Sequence, residues 1–136
     1  MRPPTIALIA IGGAIGGVAR YELAVELPVR AGRFPYTTFG INVGGALMLG
    51  FLLEWLVRHR PRDEMLRPLL GIGMLGAFTT FSTVCTETVL LVRDGHIATA
   101  SLYVLLTVAV GLGAVVVGLR GAGWNPRAPV PETGEE

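Results

Sequence analysis

Four long apolar stretches separated by short polar joints set the pattern of this 136-residue chain. Each stretch approaches the roughly 20 residues that an α-helix needs to cross a bilayer. The joints PVRAGRFPY, RHRPRDE and RDGH carry turn and charge signals. The pattern predicts an all-α membrane protein with four transmembrane helices, at Thr5–Leu27, Thr37–Val57, Leu66–Val92 and Thr99–Leu119.

The four spans leave no room for a second domain. We therefore expect one four-helix transmembrane unit over residues 1–120. The remaining segment, residues 121–136, is rich in proline and acidic residues and is predicted to be a disordered tail.

Charge sets an orientation and excludes one class of partner. The net charge is only +1, which argues against a nucleic-acid partner. Arginines in the joints and termini are unevenly divided between the two predicted membrane sides, and the positive-inside rule then places both termini in the cytoplasm. The richer side holds Arg2, Arg58, Arg60, Arg62, Arg67, Arg120 and Arg127, and the poorer side holds Arg30, Arg33 and Arg93.

Glycines spaced four apart give the first two helices small faces. The pairs are Gly12 and Gly16, Gly13 and Gly17, and Gly40 and Gly44. Small faces let membrane helices approach closely, so we expect them to pack. A chain this small has little interior to spare, so a polar pathway would run between subunits, most simply in a dimer.

The third stretch contains the segment GMLGAFTTFSTVCTE, residues 73–87. Its midpoint falls near Thr79, where glycine, β-branched and aromatic residues replace strong helix formers. We predict that this helix is broken at the bilayer centre. Breaks are tolerated where the freed backbone groups line a cavity or meet a ligand. Free carbonyls at the first half-helix end suit a cation, and free N–H groups at the second suit an anion.

The polar side chains predicted at membrane depth are mostly hydrogen-bond donors, opposed only by Glu87. Donors without a ring of acids suit a small anion. Other uses stay open: Arg20 can extend to the interface, Asn42 can bond a neighbouring helix, and the hydroxyls can bond their own helix. The donors are Arg20, Asn42, Ser82, Thr83, Thr86 and Tyr103, and Phe81 adds a positive ring edge.

Three segments together resemble a known family. GGAIGGVARY at 12–21, TTFGINVGGALMLGFL at 37–52 and GMLGAFTTFSTVCTE at 73–87 are similar to the signature segments of the small bacterial fluoride channels, the CrcB or Fluc family. The resemblance is ordered and covers about residues 6 to 119. The TTFST motif with a glutamate eight residues after its first threonine is the most specific part.

The resemblance implies a passive, fluoride-selective channel that exports fluoride across the cytoplasmic (inner) membrane. It implies an antiparallel, dual-topology dimer in membrane lipid, with two pores and a structural sodium ion at the interface. Backbone carbonyls of Gly76 and Thr79 would hold that sodium ion. The fluoride pathway would comprise Arg20 in a vestibule, Asn42 and Phe81 in contact with fluoride, Ser82, Thr83, Tyr103 and Thr107 along a polar track, and Glu87 toward a mouth.

One position departs from the family pattern. Three residues after the first phenylalanine the family carries a second, and this chain has Val84. Valine fills space without offering a ring edge. The uneven arginine count and Val84 together raise the alternative of a heterodimer with a related subunit, beside the homodimer.

Two other functions are weighed. A proton-coupled small multidrug-type exporter needs a carboxylate deep in its first helix, and Thr5–Ala19 contains no acid. A non-transporting scaffold subunit would not need polar groups at a helix break. An enzyme is not expected, because neither His59 nor His96 has a nucleophile or metal-spaced partner nearby in sequence.

Overall fold

The structure is a computed structural model that describes residues 4–60 and 63–125. Its helices are α1 (Thr5–Glu26), α2 (Tyr36–His59), the π-helix π1 (Arg67–Leu75), α3 (Gly76–Phe78), α4 (Ser82–Arg93) and α5 (Ile97–Gly121).

Four helical stretches are long and apolar enough to cross a membrane, which confirms the four predicted spans. The third of these, Arg67–Arg93, combines π1, α3 and α4 and is called the third span below. Every observed end lies within two residues of its predicted position. Length and polarity fix these ends well, because a bilayer-spanning run must stop where charged residues begin. The predicted tail, 121–136, lies mostly outside the described residues.

Turn residues close the loops between the helices. Gly32 and Gly95 adopt the left-handed backbone conformation, with φ of 76° and 82°. After α4, the N–H of His96 reaches back to the carbonyl of Leu91 at 2.8 Å, which ends the helix in the manner of a glycine cap. Before π1, Asp63 Oδ1 accepts the N–H groups of Met65 and Leu66, both at 2.9 Å.

Glycine faces bring α1 against π1. A Cβ on Gly12 would overlap the carbonyl oxygen of Leu69, and one on Gly16 would overlap that of Met74. The predicted packing role of Gly12 and Gly16 is therefore confirmed. In contrast, a Cβ on Gly17, Gly40 or Gly44 would meet no neighbouring atom within 4 Å, so neither Gly17 nor the small face of α2 packs closely within the described chain.

The sequence did not predict the π-helical form of Arg67–Leu75. π-Helical turns are rare and often mark functional sites. Here the segment packs its backbone on α1, and a Cβ on Gly73 would crowd the carbonyl of Ile9. The same close approach joins α2 and α5, where Gly50 lies on the carbonyl of Val115 and Gly118 on that of Leu47.

Large apolar side chains cover much of the outer surface. Ile6, Ile11, Leu105, Leu112 and Val117 are each more than half exposed on the single chain. Exposure of this apolar surface to water would be unfavourable in free energy, whereas contact with lipid or with a second subunit would not. The surface therefore agrees with a multi-pass membrane protein.

Candidate functional site

The third span is not helical between Phe78 and Ser82. Thr79 is extended, with φ −76° and ψ 155°. The N–H of Thr80 would continue the helix by donating to the carbonyl of Gly76, but it donates instead to Asn42 Oδ1 at 2.8 Å. The Gly76 carbonyl therefore lacks its helical donor.

Asn42 holds this interruption with both ends of its amide. Besides accepting from the Thr80 N–H, it donates from Nδ2 to the Thr80 carbonyl at 2.9 Å. Asn42 therefore does bond a neighbouring span, but its partner lies in the non-helical segment of that span and not in a helix. An amide nitrogen carries two N–H groups. One of them has a partner among the described residues, which leaves the second available to a ligand.

The Thr80 hydroxyl organises the start of α4. Its Oγ1 accepts the N–H of Thr83 at 3.2 Å, lies 3.0 Å from Thr83 Oγ1 and lies 3.2 Å from Ser82 Oγ. Short polar side chains commonly cap a helix start in this way. Two predicted pathway residues, Ser82 and Thr83, are thus drawn together by Thr80, which the sequence analysis did not select as a site residue.

Phe81 projects from the interruption and is 81% exposed on the single chain. It lines an open groove of about 430 Å³ together with Asn42, Val84 and Thr107. Val84 itself is buried and packs with Tyr103, so it fills core space beneath the groove. The groove gathers three of the predicted pathway residues.

A second polar cluster surrounds Glu87. Its Oε1 accepts from the Thr38 hydroxyl at 2.8 Å and its Oε2 accepts from the Tyr103 hydroxyl at 2.6 Å. Tyr103 is fully buried, and the ring of Phe34 meets it edge to face at 5.4 Å. Sequence analysis missed Thr38. Its position four residues before Asn42, on the same helical face, is the signal that could have found it.

Arg20 lies at a third position between these clusters. It lines a cavity of about 180 Å³ with Thr38, Thr80 and Thr83. Its Nε atom is buried and has no hydrogen-bond partner among the described residues. A buried donor without a partner is costly, on the order of 1–3 kcal/mol. The arrangement therefore favours an acceptor, such as an anion, beside Arg20.

Some hydroxyl groups donate hydrogen bonds to backbone carbonyls of their own helical segment. Thr107 donates to the Tyr103 carbonyl at 2.7 Å, and Thr79 donates to the Leu75 carbonyl at 3.1 Å. Thr86 and Thr88 make the same type of bond within α4. Thr107 can offer a ligand its oxygen more readily than its hydrogen. Its role on the polar track stays a prediction, as do the roles of the other site residues.

The arrangement is that of a membrane transport subunit, because four bilayer-length helices bring an exposed aromatic ring, and donors without a partner among the described residues, to an interrupted span. A model of the family described as "CrcB-like protein, Camphor Resistance (CrcB)" matches residues 7–119. The chain belongs to this family.

Individual relatives agree. The chain is 45% identical over 119 residues to the "Fluoride-specific ion channel FluC" of Geobacter sulfurreducens, covering 87% of this chain and 96% of the relative. It is 45% identical over 116 residues to the protein of that name from Novosphingobium aromaticivorans, covering 83% and 91%. Over 119 residues it is 41% identical to "Fluoride-specific ion channel FluC 3" of Streptomyces avermitilis, covering 88% of this chain and 58% of that longer relative.

Proposed function

We propose that the chain is the subunit of a passive, fluoride-selective channel that exports fluoride across the cytoplasmic (inner) membrane. The observation that carries the proposal is the interrupted third span, where Asn42 binds both backbone groups of Thr80 beside the exposed ring of Phe81. The names of the relatives indicate that the transported ion is fluoride. The chain is a transporter and not an enzyme.

The side chains at the interruption can replace the water around a small anion. A strongly hydrated ion needs several fixed groups in place of its hydration shell. The second N–H of Asn42, the hydroxyls of Ser82 and Thr83 and the ring edge of Phe81 are such groups. Farther along the pathway, fluoride would compete with the Glu87 carboxylate for the hydroxyl groups of Thr38 and Tyr103, which donate to that carboxylate. Arg20 would attract the anion into the vestibule.

Two chains in opposite orientations would complete two pathways. The groove beside Phe81 is open along one side of the single chain, and a second subunit would close it. Gly40 and Gly44 leave space for another backbone next to α2. Under this proposal the interruption of the third span lies at the bilayer centre, where both subunits can meet.

Passive flux is the direct test of this function. Purified protein in liposomes is expected to dissipate a fluoride gradient without ATP and without a proton gradient. Fluoride efflux is measured with a fluoride electrode after valinomycin is added. Valinomycin lets potassium leave with fluoride and so removes the membrane potential that would otherwise stop the efflux. A requirement for a proton gradient would favour the multidrug-type exporter, and no flux of any ion would favour the scaffold subunit.

A sodium ion at the dimer interface is the second part of the proposal. The Gly76 carbonyl lacks its helical donor, and Thr79 is extended, so the backbone oxygens of these two residues fit a hard cation. The carbonyl end of a helix also carries the negative pole of its dipole. The ion would neutralise these oxygens and fix the interruption.

Sodium replacement is expected to stop the flux. Complete exchange for N-methylglucamine, which is too large for the site, should abolish fluoride efflux, and restored sodium should return it. Thr79→Val should reduce flux less than Gly76→Pro does, because the Thr79 hydroxyl already donates to Leu75 and only its carbonyl is needed. Full activity after complete exchange would count against an essential ion.

The partner subunit can be identical or a relative. Val84 supplies no second ring edge, and the uneven arginine distribution favours one orientation. Streptomyces avermitilis has relatives numbered FluC 2 and FluC 3, so one organism can encode several such chains. These observations support a heterodimer, whereas the other signature residues support a homodimer.

Topology measured on the chain expressed alone separates the two dimers. A tag at the C-terminus reports the side of the membrane, and fluoride efflux is recorded from the same cells. A homodimer predicts both orientations in similar amounts with full flux. A heterodimer predicts one cytoplasmic orientation without flux, rescued when a relative is co-expressed.

A further inference from the structure

A separate cavity lies where the second span ends and the third begins. Its volume is about 310 Å³. One wall is apolar and comes from the last turns of α2, whereas the rim is charged and comes from both sides of the joint. The wall consists of Leu53, Leu56 and Val57, and the rim of Arg60, Asp63 and Arg67.

The cavity lies at the boundary between the apolar spans and the polar joint. α2 ends at His59 and π1 begins at Arg67. Trp55 stacks on His59 with ring centroids 5.4 Å apart, and tryptophan is enriched at the membrane–water interface. A molecule in this cavity would therefore be at the depth of lipid headgroups, with the apolar wall directed toward the bilayer interior.

The arginines at this end of the bundle differ in whether a nearby carboxylate neutralises their charge. Arg58 donates to Glu54 at 2.6 Å and is neutralised by it. Arg60 lies 3.9 Å from the nearest carboxylate oxygen, on Asp63, which is the outer limit of an ion pair. Arg67 forms no ion pair with any residue that the structure describes. Two guanidinium groups on the rim can therefore bind an anion.

Asp63 is the one acid among the described residues that line the cavity, and its Oδ1 atom already accepts two hydrogen bonds. The backbone N–H groups of Leu66 and Met65 donate to it and hold its pKa below the usual value. Asp63 therefore remains charged near neutral pH. Among the residues that the structure describes, the two arginines and one aspartate of the rim carry one net positive charge, which favours a ligand with one net negative charge.

We propose that this cavity binds an anionic phospholipid, with the headgroup phosphate at Arg60 and Arg67 and an acyl chain along Leu53 and Val57. Basic pockets at the ends of transmembrane helices bind anionic headgroups in this way. Phosphatidylglycerol carries the matching single negative charge. A zwitterionic lipid would bring its own cation against the arginines and is expected to bind more weakly.

Native mass spectrometry of the full chain in mild detergent can measure this binding. Dioleoylphosphatidylglycerol and dioleoylphosphatidylcholine are titrated separately, and the lipid retained by each subunit is counted. The parent chain is expected to retain phosphatidylglycerol preferentially. Each arginine near an anionic lipid contributes about a fivefold change in affinity, so R60Q/R67Q should weaken phosphatidylglycerol binding roughly 25-fold.

The matched control is R120Q. Arg120 is an exposed arginine in the last turn of α5 and does not line the cavity. Its replacement removes one charge from the chain, as each rim substitution does, and should leave phosphatidylglycerol retention near that of the parent. Equal retention by the parent and R60Q/R67Q would overturn the proposal, as would an equal loss in R120Q. Displacement of the lipid by millimolar inorganic phosphate would identify a free-phosphate site instead.

Asp63→Asn changes binding in the opposite direction. Asparagine keeps an oxygen for the N–H groups of Met65 and Leu66, so the start of the third span is preserved. Loss of the negative charge should strengthen phosphatidylglycerol binding by about fivefold. Such a gain cannot result from misfolding. Unchanged or weaker binding in D63N would contradict the electrostatic account.

Discussion

Replacement of Phe81 by isoleucine is expected to reduce fluoride flux at least about tenfold, the equivalent of 1.4 kcal/mol in the barrier. Isoleucine keeps apolar bulk but removes the positive ring edge that would face the anion. Phe81 is 81% exposed on the single chain, so its loss should leave the subunit's own packing intact. Efflux from liposomes at equal protein content gives the measurement.

The control for Phe81→Ile is Leu112→Ile. Leu112 is an exposed apolar residue that lines the same groove, and isoleucine again keeps the bulk. Its flux should match that of the parent. Unaltered flux in the Phe81 variant would show that the ring only fills space. Equal losses in both variants would indicate that the groove tolerates no change of shape, and the ring edge would then have no special role.

Replacement of Asn42 by leucine is expected to be more severe, because it affects both folding and conduction. Leucine leaves the N–H and the carbonyl of Thr80 without their amide partner. Each unsatisfied group costs on the order of 1–3 kcal/mol. We expect a lower thermal unfolding temperature and a fluoride flux near the background of empty liposomes.

Asn42→Asp separates the two effects. Aspartate keeps the oxygen that accepts from Thr80 but loses both amide N–H groups and adds a negative charge. Its flux should fall as far as that of Asn42→Leu while its stability falls less. Thr88→Val serves as a control, since the Thr88 hydroxyl bonds only within its own helix in the described chain. If Asn42→Asp conducts like the parent, Asn42 does not contact fluoride.

The spans could be predicted because they depend on local composition. Apolar length and flanking charges are read directly from the sequence, and all four spans were found within two residues. The packing of Gly12 and Gly16 was also predictable from their spacing. The π-helical form of Arg67–Leu75 was not, because the glycine spacing on α1 does not show which backbone packs against it or what form that backbone takes.

The candidate site was also predictable only in part, because its residue types can be read from the sequence but their partners depend on the fold. Asn42 was singled out because an amide at membrane depth must find partners, but the identity of its partner depends on how α2 meets the third span. Thr38 was missed because its partner, Glu87, is 49 residues away in sequence. Threonines are common, and only the folded arrangement shows which of them donates to a carboxylate. Whether these residues conduct fluoride stays a prediction.

Selective conduction of fluoride is tested most directly by the reversal potential under bi-ionic conditions. Purified channels are placed in a planar bilayer with sodium fluoride on one side and an equal concentration of sodium chloride on the other. A fluoride-selective channel should give a reversal potential displaced strongly toward the fluoride equilibrium potential, with no chloride current resolved beside it. A reversal potential near zero, which signifies equal permeability to the two anions, would contradict selective conduction.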